Sequence, residues 1–562
     1  MARDGVFISR RGTGEGVPTW IDDLIIRGFQ TDSKPPLAAV RASTLPKNMD
    51  PFFFQCACHI FLTVYDNPIE GQWGLAANSK TNMSITCTYA HQARNVAPDS
   101  VSVARYPDDS LLLGSAKACR RNGLDFYQHC ERIAGMVRTR FLWKRAYTVT
   151  DPAAIADVLV NHTKSFVKPY VLKRLKALFG DGLLTSDGEV WAHRRRLVQP
   201  AFGASRMPKF VDLVRENTEK MVSSWRNGEV RDIYPDLVDL CMKNITQTMF
   251  GVYDEELGSI VRALAATCHE LVQAVFGMNG LWPFHFPRRL RRQVEKELQD
   301  LGRYLDRLID QRRREPPRDD FLGLMLSAVD AHHPWMDRQA IIDESVTLLL
   351  AGHETTASAL VWSLYLLARH PQHADALAAD LALRLKGGAP SYADLDSLES
   401  LRATLDEALR LYPATHRVGR TVKTPVRVGG HMLPVGVDVV MPQWAVHRSA
   451  RWYREPEAFV PSRWTPAFRK SLPRFAYFPF SGGPRTCVGG QLAWCESAAI
   501  LGLLVQRFRF SLCDSTPLVP REGLTLLPPT RGLPIRIENR VAASAYRCSH
   551  SPASKTNSSG EN

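Results

Sequence analysis

The sequence predicts a mainly α-helical protein with small β-sheets. Apolar residues recur at helical spacing in many segments between about residues 107 and 539, whereas strand-like alternation is confined to a few short runs. One long segment, 338–370, contains no proline and is apolar nearly all round at 346–350, as is typical of a buried helix. The composition, 45% hydrophobic and 23% charged, is that of a globular protein able to bury a large core.

The first hundred residues differ from the rest of the chain. Helical periodicity is scarce in 1–106, and Gly, Ser, Thr and Asn interrupt the segment often. A small extra domain, a disordered extension and a wrongly assigned start codon are all compatible with this composition, which favours no stable fold. We therefore expect an atypical extension over 1–106, one domain over 107–540 and a disordered Ser- and Asn-rich tail over 541–562.

Within the central domain, helical and strand-like segments can be placed in order. Helical periodicity covers 153–161, 191–198, 210–225 and 294–314. Strand-like runs occur at 146–149, 426–428 and 437–441. The helices greatly outweigh the strands.

The longest predicted helix has clear ends. Asp337 is a suitable N-cap, and Pro371 stops the helix after His370. At 1.5 Å per residue the segment is roughly 50 Å long, enough to cross an entire large domain.

Charge and cysteine content limit the possible functions. The net charge is +14, but no cluster of Lys and Arg coincides with a nucleic-acid-binding module, so we expect no nucleic-acid partner. The eleven cysteines are scattered without a disulfide or zinc pattern, which indicates a reducing compartment. No apolar stretch reaches the length of a bilayer span. These features predict a soluble cytoplasmic protein with no transmembrane anchor.

A cysteine motif near the C-terminus carries the functional prediction. Residues 480–489 read FSGGPRTCVG and fit F-x-x-G-x-R-x-C-x-G. This pattern resembles the haem-binding signature of the cytochromes P450, a strong signal because five residues occur at fixed spacing. A lone intracellular cysteine is more often a buried structural residue. The frame around Cys487 favours a ligand, whereas Cys495 has no such frame and is expected to be core.

The resemblance implies a role for each motif residue. Cys487 would be the axial thiolate of the haem iron, and thiolate ligation favours O–O cleavage. Arg485 would pair with a haem propionate. Phe480 would pack under the sulfur, Gly483 would permit a tight turn, and Gly489 would let the following helix approach the porphyrin.

A second motif lies midway along the long helix. Residues 351–356 read AGHETT and resemble the oxygen-activating signature of the same family. Glu354 would relay protons, and Thr355, hydrogen-bonded to a carbonyl one turn earlier, would hold a water and donate to dioxygen. Gly352 would leave room for dioxygen over the iron. His353 is expected to have no relay role.

The family frame around the haem is also present. Glu407 and Arg410 form E-x-x-R, and Arg463 matches the arginine that completes a fold-holding triad. Trp191 and Arg195 fit W-x-x-x-R.

Arg420 matches a further arginine of the family. With Trp191 and Arg195 it would bind the haem carboxylates. Arg194 and Arg196 are expected to be solvent-exposed.

The resemblance covers about three quarters of the chain and implies a bacterial-type monooxygenase. It would bind haem b and use O2, taking electrons from a separate ferredoxin or flavodoxin with its NAD(P)H reductase, because no flavin or iron–sulfur segment follows residue 539. The +14 charge would attract an acidic partner. We expect a monomer.

The substrate prediction is coarser. Segment 271–287, in the position of the family's access lid, is aromatic with Gly and Pro hinges, and 414–418 should line the pocket, which favours an apolar guest such as a fatty acid or a terpenoid. Two alternatives stay open. A thiolate-haem peroxygenase or isomerase would not need the acid–alcohol pair Glu354 and Thr355, and a non-enzymatic haem sensor would need a signalling module in 1–106.

Overall fold

The computed structural model describes residues 73–78, 82–87, 103–107, 113–141, 144–277, 288–523, 525–529 and 532–540. The chain divides into two compact units, Met1–Pro98 and Asp99–Asn562. Of the first unit the structure describes one antiparallel hairpin, β1 (Trp73–Asn78) with β2 (Asn82–Cys87). The predictions of an atypical 1–106 and a disordered 541–562 fall largely outside the described residues, and the boundaries at 107 and 540 stay predictions.

The second unit is built mainly from helices. They are α1 (Ala116–Arg121), α2 (Gly123–Ile133), α3 (Pro152–Ala156), α4 (Tyr170–Phe179), α5 (Gly188–Val198), α6 (Met207–Val222), α7 (Ile233–Phe250), α8 (Glu255–Gly277), α9 (Arg288–Arg312), α10 (Phe321–Asp330), α11 (Arg338–Arg369), α12 (Pro371–Leu385), α13 (Tyr392–Leu395), α14 (Glu399–Leu411), α15 (Gln443–Val446), α16 (Pro466–Ser471) and α17 (Gly490–Arg507). The predicted helices at 153–161, 191–198, 210–225 and 294–314 are confirmed within a few residues, with a π-helical turn over Asp157–Asn161.

The strands of this unit are short. They are β3 (Ala104–Arg105), β4 (Met136–Phe141), β5 (Lys144–Val149), β6 (Phe166–Val167), β7 (Val230–Asp232), β8 (Val418–Val422), β9 (Val426–Val428), β10 (His431–Leu433), β11 (Asp438–Met441), β12 (Phe508–Leu512), β13 (Arg521–Glu522), β14 (Leu526–Leu527) and β15 (Pro534–Asn539). Six of them form a mixed sheet in the order β3-β4-β5-β11-β8-β6, three form the sheet β12-β15-β7, and β9-β10 and β13-β14 are hairpins.

The long helix α11 organises the core. It begins after Asp337, whose carboxylate accepts a hydrogen bond from the Ala340 N–H at 2.7 Å, and it ends directly before Pro371, as predicted. It packs against α7, α14 and α17 in one large apolar cluster. Most of its residues from Ala340 to Ala368 are buried on every face, so accessible positions along it mark where the core opens.

Candidate active site

The loop that carries Cys487 is folded back on itself. The Cys487 N–H donates to the Phe480 carbonyl at 3.0 Å, and Ser481 and Gly483 have φ of 62° and 68°. A Cβ at Gly483 would lie 1.7 Å from the Leu159 carbonyl oxygen in the π-helical turn, so only glycine fits there. The expected tight turn is confirmed, and a rigid loop presents the sulfur.

Burial and nearby positive groups have opposite effects on the pKa of the Cys487 thiol. Enclosure by protein atoms raises the pKa of the thiol, while the Gly489 N–H and the nearby Arg195 guanidinium lower it. The residue is nonetheless accessible to solvent, because the loop opens on one side. A Cβ at Gly489 would meet no atom within 4 Å, and α17 begins at the next residue, directing its positive end toward the loop. The site suits a thiolate bound to a metal whose charge completes the neutralisation.

Three buried or part-buried cations lie near the Asp187 carboxylate beside this loop. The Arg485 Nη2 donates to Asp187 Oδ1 at 2.6 Å, and the Lys168 backbone N–H donates to Asp187 Oδ2 at 3.1 Å. Burial, followed by the Arg485 charge, lowers the pKa of Lys168 to about 7 and that of Arg420 to about 10. We call Lys168, Arg420, Arg485 and Asp187 the cation cluster.

The cation cluster has unused donor capacity. The Arg485 Nη1 is buried and has no hydrogen-bond partner among the described residues. The Lys168 ammonium donates to the Leu183 carbonyl, and the charges of Arg485 and Arg420 lower its pKa by more than Asp187 and Glu344 raise it. The cluster therefore fits additional anionic groups such as carboxylates. Lys168, which we did not predict, is part of it, since a single lysine in sequence gives no sign of burial.

Trp191 and Arg195 on α5 flank the same region. The Arg485 guanidinium lies over the Trp191 ring, 4.6 Å from its centroid. The Arg195 Nη1 donates to the Thr486 carbonyl at 2.9 Å and its Nε to Gln199 at 3.1 Å. The structure thus brings both predicted residues to the Cys487 loop.

The long helix α11 has solvent-accessible residues near Thr355. The Thr355 hydroxyl donates to the Ala351 carbonyl at 2.8 Å, which is the predicted bond one turn back. Ala351 is exposed and Thr355 partly exposed, although residues 345–349 and 356–368 are buried. Because α11 packs against α17, which begins just after Cys487, the accessible residues Ala351 and Cys487 lie on adjoining elements.

Glu354 is paired with a histidine that the sequence did not reveal. His269 on α8 approaches it with Nε2 2.6 Å from Glu354 Oε1. The two residues line a cavity of about 170 Å³ together with His353. His353 itself is buried and contacts the Leu349 carbonyl through Nδ1 at 2.6 Å.

Two expectations are wrong. Gly352 does not leave room for dioxygen, because a Cβ there would lie 3.0 Å from the Ile245 side chain, so the glycine permits close packing of α7 on α11. Arg194 is buried, not solvent-exposed: its Nη1 donates to the Asp181 carbonyl at 2.6 Å and lies 3.8 Å from Glu344. Arg196 is exposed as expected.

The E-x-x-R triad is confirmed as a buried, fully bonded cluster. Glu407 accepts hydrogen bonds from Arg410 at 2.8 and 2.9 Å and from Arg463 at 3.0 Å. It also accepts from the Trp464 Nε1 at 2.8 Å and the Val460 N–H at 2.9 Å. Burial raises the pKa of Glu407, but the bonds and charges of its partners hold it below the ordinary value.

Comparison with known proteins agrees with this geometry. Residues 107–535 match the family model described as Cytochrome P450. The chain is 30% identical over 434 residues to cyclooctatin synthase of Streptomyces melanosporofaciens, covering 76% of this chain and 94% of that protein. It is also 30% identical over 421 residues to cyclooctat-9-en-7-ol 5-monooxygenase of the same organism, covering 73% and 90%.

A solved structure shows the same fold. The crystal structure of the cytochrome P450DA heme domain superimposes with a TM-score of 0.68 at 26% identity, covering 78% of this chain and 97% of that chain. The chain belongs to the cytochrome P450 family. It is a haem-dependent P450 monooxygenase that uses O2, an organic substrate and a redox partner. None of the helices in the described part of the chain combines the length and apolar character needed to cross a bilayer.

The residues around Cys487 and the cation cluster fit a haem. Its iron would be held by Cys487, an exposed residue on a loop closed by the bond from its N–H to the Phe480 carbonyl. Its two carboxylates would supply the anions that the cation cluster lacks, including a partner for the orphaned Arg485 Nη1.

Proposed function

We propose that this monooxygenase binds haem b through Cys487 and inserts one oxygen atom of O2 into an apolar terpenoid- or fatty-acid-like substrate. The observation that carries the haem-binding assignment is the cation cluster beside the Cys487 loop, where the positive charges outweigh the nearby carboxylates of Asp187 and Glu344. A buried charge without enough counter-charge is costly unless a ligand completes it. Arg485, Arg420 and Lys168 are the residues proposed to hold the haem carboxylates, with Trp191 and Arg195 at their side.

The roles proposed for the protein follow from the chemistry of its side chains. Bound haem supplies the activation of dioxygen. Thr355 donates a hydrogen bond into the opening and holds a water molecule, after its hydroxyl leaves the Ala351 carbonyl. Glu354 brings protons from solvent through the cavity beside it. Gly489 and Arg195 stabilise negative charge on the Cys487 sulfur.

Two observations support an apolar substrate. A relative carries cyclooctat-9-en-7-ol in its name, an unsaturated alcohol with a single polar group. In the predicted pocket segment 414–418, His416 is buried and Arg417 is ion-paired with Glu522 at 3.4 Å, so the charge there already has a partner. Of the predicted lid 271–287, residues 271–277 complete α8 and 278–287 lie outside the described residues.

The electron supply belongs to the same proposal. A small acidic ferredoxin or flavodoxin, with its NAD(P)H reductase, would dock on the Cys487 side, attracted by the net charge of +14. We also propose that the enzyme works as a monomer in the cytoplasm.

A titration of the ferric protein tests the substrate proposal. Terpenoid alcohols and fatty acids of matched carbon number would be added while the Soret band is followed. A saturable spin-state shift with one class, and none with the other, is the expected result. Absence of a shift with both classes contradicts the apolar-substrate proposal.

Replacing Thr355 tests the oxygen-activating role. Thr355→Ala should keep haem content and fold but raise the hydrogen peroxide formed per NAD(P)H about tenfold, because losing a proton-transfer contribution of roughly 10²-fold or more in rate lets peroxide release compete. Thr356→Ala, one residue further along the helix, is the matched control, because Thr356 is buried and donates to the Gly352 carbonyl at 3.3 Å. Equal peroxide yields from wild type and Thr355→Ala contradict the assigned role.

A further inference from the structure

An ion pair joins the predicted pocket segment 414–418 to the β13–β14 hairpin. The Arg417 Nη1 lies 3.4 Å from Glu522 Oε2, and the two side chains are 22% and 28% exposed. Their neighbour His416 is buried. A molecule that reaches this segment therefore meets the ion pair rather than the imidazole.

Hydrogen bonds connect the same hairpin to the helix that carries Thr355. The Ser358 hydroxyl and the Trp362 Nε1 of α11 both donate to the Leu526 carbonyl, the indole at 3.0 Å. The Leu526 N–H donates in turn to the Ala414 carbonyl at 2.9 Å. Because Ser358 lies about one helical turn after Thr355, the hairpin and the pocket segment flank α11 beside the proposed oxygen-activating residue.

The N-terminus of α2 holds the Glu522 carboxylate in place. Its Oε1 accepts a hydrogen bond from the Gly123 N–H at 2.9 Å, while its Oε2 faces Arg417. A Cβ at Gly123 would lie 2.5 Å from that second oxygen, so a larger residue would push the carboxylate away. The positive end of the helix also favours a negative charge here. Two segments far apart in sequence therefore fix the acid beside Arg417.

Three ionisable neighbours of the pair are neutral near pH 7. Burial, followed by the charge of Arg417, lowers the pKa of His416 well below its ordinary value, and its Nε2 lies 2.8 Å from the Arg417 Nη1. Burial raises the pKa of the Tyr127 hydroxyl and brings that of the Cys119 thiol to about 11. Within this group of described residues the charge belongs to Arg417 and Glu522, and it cancels.

The cancelled charge decides which substrate end group is accepted. A carboxylate that approached Arg417 would meet the like charge of Glu522 and would lose its water without finding an uncompensated cation. A hydroxyl group can donate to Glu522 or accept from Arg417 without breaking the pair. Without Glu522, Arg417 would lose this counter-charge, and its planar guanidinium could bind a carboxylate through two hydrogen bonds.

We propose that Glu522 is a specificity-determining residue that neutralises Arg417, so that the enzyme takes a neutral alcohol and rejects the carboxylic acid of the same carbon skeleton. This inference rests on the proposed function, in which the pocket segment receives an apolar substrate. Of the two substrate classes named there, a terpenoid alcohol fits the neutral ion pair and a fatty-acid carboxylate does not.

Binding of matched alcohols and acids measures this selection directly. Farnesol and farnesoic acid share a terpenoid skeleton, and dodecanol and lauric acid share a linear one. The haem-loaded protein would be titrated with each compound by calorimetry and, in parallel, by the Soret shift. Wild type should bind the alcohol of at least one pair, and should bind the matching acid about tenfold more weakly, because the acid is desolvated beside Glu522.

Removing the negative charge should reverse the preference. Glu522→Gln should raise the affinity for the acid about tenfold, the order of one hydrogen bond to a charged group, and leave the affinity for the alcohol nearly unchanged. The glutamine keeps an oxygen that can accept from the Gly123 N–H. Adding Arg417→Gln should remove the gain. Glu219→Gln is the matched control, because it removes the acid of another ion pair, with Arg507, and should leave both affinities unchanged.

The possible failures are distinguishable. If wild type binds an acid as tightly as its alcohol, or if Glu522→Gln still binds the alcohol but gains no affinity for the acid, the role of Glu522 is overturned. If Glu522→Gln binds neither compound, Arg417→Gln decides: it keeps Glu522 and should still reject the acid, and equal binding of acid and alcohol overturns the inference. If wild type binds none of the four compounds, the proposed apolar substrate fails, and this inference fails with it.

Discussion

Two groups of buried ionic side chains differ in how completely they are neutralised. In the triad, Glu407 accepts five hydrogen bonds, and Arg410 also donates to the carbonyls of His447, Pro456 and Ala458. In the cation cluster, Arg485 donates to Asp187, the charged ends of Lys168 and Arg420 donate to backbone carbonyls, and one buried nitrogen of Arg485 has no partner among the described residues.

This difference separates a structural cluster from a binding site. A complete buried network fixes the fold and has no room for a ligand. An incomplete one is costly until an anion arrives, so it is expected where a charged cofactor binds. The distribution of unsatisfied charge, more than the presence of arginines, is the basis for proposing that the cation cluster binds the haem carboxylates.

Removing the charge of Glu407 should have the largest effect. Glu407→Gln leaves Arg410 and Arg463 buried without a counter-charge and should lower the free energy of unfolding by about 3–5 kcal/mol. Chemical denaturation of the haem-free protein would measure it. Glu216→Gln is the control, because Glu216 is an exposed partner of Lys220 and its loss should leave the unfolding midpoint unchanged. A stable Glu407→Gln protein would contradict a structural role for the triad.

Removing a positive charge from the cation cluster should not lower the free energy of unfolding of the haem-free protein, in contrast to Glu407→Gln. Lys168→Met relieves repulsion with Arg485 and Arg420, so the haem-free protein should be no less stable. Haem should dissociate about tenfold faster, the order of one lost charged hydrogen bond. Transfer of haem to apomyoglobin would measure this rate.

A control for Lys168→Met lies four residues earlier. Lys164 is exposed, and Lys164→Met should leave both the stability and the haem dissociation rate unchanged. If Lys168→Met destabilises the haem-free protein as strongly as Glu407→Gln does, the two clusters are alike and the comparison fails.

The pH dependence of stability gives a smaller signal. In the folded haem-free protein the pKa of Lys168 is about 7, below the ordinary 10.5. Between these two pH values the unfolded chain binds more protons at Lys168 than the folded chain does, so the free energy of unfolding should rise with pH above about 7. Below pH 7 the lysine is charged in both states, and the folded protein carries the full cost of burying that charge. Lys168→Met should lack this contribution, and bound haem should suppress it by keeping the lysine charged. Equal slopes from pH 7 to 9 for wild type and Lys168→Met would contradict the prediction.

Sequence reasoning succeeded where local rules decide the structure. The bounds of α11, its Asp337 cap and the bond from Thr355 to Ala351 all follow from interactions within a few residues of one helix. The positive φ of Gly483 also follows from its own loop sequence. The close approach of Gly483 to the Leu159 carbonyl depends on a distant segment and could not be predicted.

The errors arise where distant segments meet. Arg194 was expected in solvent because three successive arginines resemble a polar face, yet α5 directs it toward Glu344 of α11. Gly352 was given a role toward dioxygen, but its missing side chain faces Ile245. Neither Lys168 nor His269 belongs to a motif, and their importance depends on partners far along the chain.

The central claim is that Cys487 ligates the haem that completes the cation cluster. The most direct test is the absorption spectrum of the reduced, carbon monoxide-bound protein for wild type, Cys487→Ser and Cys495→Ser. Cys495 lies in the core of α17, eight residues after Cys487, and is the matched control. Wild type and Cys495→Ser should show the Soret band of a thiolate-ligated carbonyl haem, and Cys487→Ser should lose it. A thiolate band that persists in Cys487→Ser would contradict the account.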